Sequence, residues 1–130
     1  MVSTLLQRSR VKPGVAPQDI AAGVTGPYVS VAGSGRVLAA VSTANLAAGK
    51  KVTVQFKQAT SAAGAGAKNL GAPIEAVAPA GGAPLAFGAE LVVETIDDDF
   101  EFVAVNLTTD AGAALVASAT LLLSDNRFNP

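Results

Sequence analysis

The chain has 130 residues, half of them hydrophobic, with 15% charged, 5% aromatic and a net charge of −1. It contains neither Cys nor His, which excludes disulfide frameworks, thiolate zinc sites and nucleophilic catalysis that depends on Cys or His. So small a net charge provides no global field for nucleic acid or acidic lipid, and neither is expected as a partner, nor is a membrane.

The length fits one domain with at most an arm. The apolar content is mostly Ala and Val, so the core is expected to be thin. Soluble domains carry about a quarter charged residues, and the lower share here favours a surface that is covered by copies or partners. Met1 to Leu6 is too short for a signal peptide, and Ala111 to Leu123 is too short and too polar for a membrane helix, so the chain reads as soluble and made in a cytoplasm.

Residues 1–24 show no sustained period. Pro13 and Pro17 exclude a continuous helix, and the reading is an extended arm with room for one helical turn from Pro17 to Ala22. An unanchored terminus is the alternative. Val2, Leu5, Leu6, Val11, Val15 and Ile20 argue for a docked arm, being too apolar for a disordered tail. Arg8, Arg10 and Lys12 make it basic, able to strap onto an acidic surface or stay solvated.

From residue 25 to 130 the signal is β. Tyr28 to Val31 and Arg36 to Thr43 read as two strands joined in a hairpin by Ala32-Gly-Ser-Gly35, with Val37, Ala39 and Val41 on one face. Lys50 to Ala59 is the best-patterned strand: Val52, Val54 and Phe56 alternate with Lys51, Thr53, Gln55 and Lys57. Thr60 to Gly71 is a small-residue excursion, and Ala72 to Ala80, bracketed by Pro73 and Pro79, can only be an edge strand or a crossing loop. Leu85 to Ile96 holds a strand with Leu91 and Val93 inward, and Asp97-Asp-Asp99 turns the chain. Phe100 to Thr108 is apolar on both faces, which predicts a central strand or a bulge. Ala113 to Ser124 reads as a strand with Leu115, Ala117, Ala119, Leu121 and Leu123 in one row. A helix would scatter its Ser and Thr residues over several faces. About six to eight short strands separated by Gly/Pro turns predict an all-β fold, an antiparallel β-sandwich or jelly-roll-like barrel, behind the N-terminal arm.

No motif for chemistry stands up. Gly49-Lys50 and the Gly64, Gly66, Lys68 series miss the spacing of a phosphate loop and precede no helix. Asp97 to Asp99 lacks the partners a calcium or magnesium site requires and reads as a solvated turn. Asn106-Leu-Thr108 matches a glycosylation sequon without a secretory signal. The expectation is a protein that is not an enzyme and takes no cofactor or metal.

The segment from Val52 to Gly71 resembles the central piece of small virion proteins of tailed bacteriophages. In these a strand ending in Gln-Ala (here Gln58-Ala59) leads through an Ala/Gly stretch to Lys-x-Leu-Gly (here Lys68 to Gly71). It resembles most the head decoration, or cement, proteins. The resemblance covers about twenty residues and the general build, and transfers no individual site. It implies a capsid-surface protein of the virion, made in the host cytoplasm, which self-associates as a dimer or trimer and binds the major capsid protein. The candidate interface comprises Leu5, Leu6, Arg8, Arg10 and Lys12 from the arm, Ala63, Ala65 and Lys68 from the excursion, and Phe128 from the tail. The alternatives are another virion part (tail, neck or head fibre) and a carbohydrate-binding sandwich module. The latter is disfavoured by the absence of Trp and the single Tyr, because sugar sites use aromatic platforms.

Overall fold

Alternation at period two, the strand signature, runs through most of the chain. In the computed structural model, which describes residues 9–124, it produces nine strands in two antiparallel sheets. The first sheet has the order β1-β9-β4-β7, from Ser9–Asp19, Val116–Ser124, Arg36–Leu46 and Ala83–Val92. The second has the order β2-β8-β5-β6, from Val24–Thr25, Phe102–Thr109, Lys51–Ala59 and Lys68–Val77, with β3 (Val29–Ser30) also paired to β8. Along the chain the strands pass from sheet to sheet, and among the described residues only β5 and β6 follow one another as a hairpin within a sheet. If β2 and β3 count as one interrupted strand, this is an eight-stranded jelly roll.

The core lies between the sheets and takes one phase of each strand. Val52, Val54 and Phe56 of β5 meet Val37, Ala39 and Val41 of β4 and the full row Leu115, Ala117, Ala119, Leu121, Leu123 leading into and along β9. β9 is therefore a strand. In β8, Val103, Ala104 and Val105 are all fully buried. Both faces of this stretch are therefore covered, and within its sheet β8 runs between β5 on one side and β2 and β3 on the other.

Several local expectations change. Tyr28–Val31 and Arg36–Thr43 are not a hairpin: β3 pairs with β8 in the second sheet, β4 with β7 and β9 in the first. The turn between them carries the chain across the sandwich. It is pinned by Val31 N–H donating to Glu101 O at 2.9 Å and Gly35 N–H donating to Ser124 O at 3.0 Å. Turn composition alone does not tell a hairpin from a crossover. Val93 does pack against the core as expected, but from a 3-10 turn, Val93–Thr95, that follows β7, not from a strand. The small-residue excursion is shorter than expected, because Lys68 to Gly71 already belong to β6. β6 is an edge strand among the described residues, where its Pro73 is tolerated, and Pro79 lies just beyond its end. Its register shifts opposite Val54 and Phe56, the place where Pro73 would otherwise interrupt the ladder.

Of the arm, the described part from Ser9 is extended and hydrogen-bonded to β9, and Val15 and Ile20 are buried in the core. The expected boundary between residues 24 and 25 thus falls inside β2, within the sandwich. No helical turn forms from Pro17 to Ala22. Asp19 Oδ1 instead accepts from Ala21 N–H at 2.9 Å and from Leu115 N–H at 3.0 Å, tying the end of β1 to the start of β9. Those two donors, Leu115 first, hold the Asp19 carboxyl below its ordinary pKa. At this side the sheets come so close that a Cβ on Gly26 would stand 1.5 Å from the Gly14 carbonyl oxygen, and one on Gly14 would stand 2.7 Å from Ala119 O. Only glycine at both positions permits this joint.

Candidate interface surfaces

The small-residue loop, residues 60–67, joins β5 to β6 at one end of the sandwich. Its conformation is set by its own backbone. Ala65 O accepts from Thr60 N–H at 2.9 Å and from Thr60 Oγ1 at 3.0 Å, and Gly64 N–H donates to Ser61 O at 3.0 Å. Gly64 and Gly66 have φ of 83° and 66°, a region that a Cβ resists. Two rings brace the loop: Tyr28 stands against Gly64, and Phe100 lies beside Gly66. Ala63 and Ala65 are left exposed on a held loop. Lys68 lies beyond it, as the first residue of β6. Its charge is engaged within the chain, paired with Asp97 and with its ammonium 4.8 Å from the Phe100 ring centroid.

The same end holds most of the acidic stretch from Glu94 to Glu101. Glu94, Asp97, Asp98, Asp99 and Glu101 line an open cleft that also includes Ser34 and Phe100. Asp97 N–H donates to the buried side chain of Gln58 at 3.0 Å, anchoring the acidic turn to β5, and Asp99 takes φ of 69° to close it. Arg10 reaches the rim, where its Nη2 donates to Ser34 Oγ at 2.8 Å and to Ala32 O at 3.2 Å. Thus Arg10 straps the start of β1 to the β3–β4 crossing. Lys12, also on β1, is half-buried. Leu5, Leu6, Arg8 and Phe128 lie outside the described residues. Among the described residues no group of three or more His, Cys, Asp or Glu is placed to hold a metal ion.

The outer faces of the two sheets differ. On the second sheet, Lys51 pairs with Glu75 at 2.7 Å, and this hydrogen bond, with the Glu75 charge, raises the Lys51 pKa. Lys57 Nζ donates to Asn69 Oδ1 at 3.0 Å. Gln55 Nε2 donates to Leu70 O and Gly71 O at 3.2 and 3.1 Å, stitching the β6 bulge. Asn106, the sequon residue, sits mid-strand and donates to Thr25 Oγ1 at 2.9 Å.

The first sheet has little of this. Ladder partners form a row Val11, Leu122, Leu38, Glu90, and the next outward row is Pro13, Thr120, Ala40, Gly88. Beyond it come Ser118, Ser42 and Ala86. The ionised residues Glu90 and Arg36 pair with each other at 2.6 Å. This face is absent from the residues singled out in the sequence, because it depends on which strands become neighbours. The local signal is that the outward phases of β4 and β9 hold Leu38, Ala40, Ser42, Ser118, Thr120 and Leu122, where a solvated strand would carry charge.

No family model matches the chain, and no curated protein matches it. Its fold does match solved virus structures. Infectious bursal disease virus, Gx strain, aligns over 95% of this chain at 14% identity with a TM-score of 0.52. The VP2 subviral particle of that virus aligns over 94% at 11% identity and 0.50, and T=1 particles derived from it align over 94% at 12% and 0.51. The chain spans about a third of the length of the chains it matches, 34%, 34% and 33%. At these identities the likeness is one of fold: the chain shares its jelly roll with part of these chains.

Proposed function

We propose that this chain is a non-enzymatic structural protein of a virion, which decorates a bacteriophage capsid and stabilises it by binding the lattice of the major capsid protein. One observation carries the virion role: a jelly roll shared with virus-particle proteins over 95% of the chain. The decorating role rests in addition on the resemblance of residues 52–71 to cement proteins. On this reading the protein sits on the capsid surface after synthesis in the host cytoplasm. A lattice repeats each contact many times, so a copy that contributes only a few kcal/mol per joint still strengthens the shell. Ala63 and Ala65 suit such a joint, being small and carried on a loop already held by Tyr28 and Phe100, which costs little entropy to dock. The same packing disfavours a carbohydrate module, since Tyr28 is committed to the loop.

A second reading, that the chain itself builds a shell, is favoured by matches to particles that include a T=1 assembly. Cosedimentation with undecorated capsids separates the two. Saturable, stoichiometric binding with raised capsid heat resistance supports decoration. Closed particles from the purified chain alone, with no capsid binding, support the shell reading, and recovery of the protein in tails contradicts both.

A further inference from the structure

We propose that the outer face of the first sheet, β1-β9-β4-β7, is a self-complementary surface on which two copies of this chain pair across a two-fold axis. This goes beyond the virion role and does not depend on which shell the protein joins.

The face has relief of the right kind. Val11, Leu122 and Leu38, adjacent across three strands, form an apolar ridge, with Val11 56% exposed. One ladder step away, Thr120 and Ala40 form a trough of small side chains. Ridge and trough lie about 7 Å apart. A two-fold copy facing this sheet can therefore set its ridge into this trough and receive this ridge in its own, as an isologous interface requires. Sheets with such small side chains stack at about 10 Å.

Charge and area favour the same occupant. The ionised pair Arg36–Glu90 carries both signs at one end of the face. A copy related by a two-fold meets no net repulsion there, whereas a strongly charged partner finds nothing to match. Four strands at about 4.8 Å and eight paired residues of β4 and β9 at about 3.3 Å cover about 500 Å². Two copies thus bury about 1,000 Å² together, the size at which specific association begins. The outer face of the second sheet, with Lys51, Glu75, Lys57 and Gln55 outward, lacks both the ridge and the neutrality.

Sedimentation equilibrium of the whole chain tests this. The wild type is expected to be a dimer. Ala40→Arg, in the trough, is expected to weaken dimerisation by about a hundredfold while the far-UV circular dichroism spectrum of the folded chain stays at that of the wild type. Ser118→Glu, one row further, provides the same reading should Ala40→Arg not fold. Thr53→Arg on the second sheet is expected to leave the dimer intact. A wild type that remains monomeric or forms trimers, trough variants as dimeric as wild type, or a Thr53→Arg variant that dissociates equally, would each overturn the proposal. Capsid cosedimentation is read separately, so loss of the dimer does not decide it.

Discussion

The two sheets share one interior and differ outside. Inward they are equivalent: Val52, Val54 and Leu107 from one meet Val37, Leu121 and Leu123 from the other, all fully buried. Outward, the second sheet presents amides, hydroxyls and paired charges that hydrogen-bond across its strands, while the first presents Ala, Gly, Ser, Thr and Leu with one ion pair. Identical alternation thus encodes half of each strand's environment. The buried phase reports the fold, and the exposed phase reports what the surface meets.

The largest expected effect attacks what joins the two sheets. Gly26→Ala drives a Cβ into the Gly14 carbonyl. It is expected to destabilise by about 3 kcal/mol or more, read from urea unfolding. Next comes the shared interior: Leu107→Ala in the second sheet and Leu121→Ala in the first are each expected to cost about 2–5 kcal/mol. A marked inequality would show that the core is not evenly divided. On the outer faces the sheets should part. Asn106→Ala on the second sheet, which removes the donor to Thr25, is expected to cost about 1 kcal/mol. Ser42→Ala on the first, at an exposed position, is expected to leave monomer stability within about 0.5 kcal/mol in a dimer-deficient Ala40→Arg background.

The smallest effect depends on pH. The Asp19 carboxyl is held below its ordinary pKa by the Leu115 and Ala21 N–H groups, so its contribution is present above about pH 4 and lost as pH falls through the lowered value. Asp19→Ala should therefore lower the melting temperature at neutral pH and converge on wild type in acid. A difference that persists unchanged at low pH would remove the carboxylate from the clasp between β1 and β9.

Much of this fold is legible in the sequence, and the boundary is physical. β5 and β9 read correctly because one buried face imposes strict alternation on contiguous residues. β8 announces its central place through apolar residues on both faces. The β3–β4 crossing is misread as a hairpin because Ala32-Gly-Ser-Gly35 satisfies the backbone needs of either, and the choice is made by distant partners: Val103 for Val29, Leu91 and Leu123 for Val37. β1 is obscured by Pro13 and Pro17, which an edge strand tolerates at the cost of two register shifts. Of the candidate surface, the exposed Ala63 and Ala65 are readable from composition. The commitment of Arg10 to Ser34 and of Lys68 to Asp97 is not, because both pairs close only when the ends of four segments converge.

Reconstruction of undecorated bacteriophage capsids by cryo-electron microscopy, with and without the added protein, bears most directly on the role proposed for this chain. The expected result is a jelly-roll density on the outer surface at a fixed lattice position, with the tip at Ala63 and Ala65 meeting the shell. Unchanged capsids at saturating protein, or its density found only in tail structures, would contradict it.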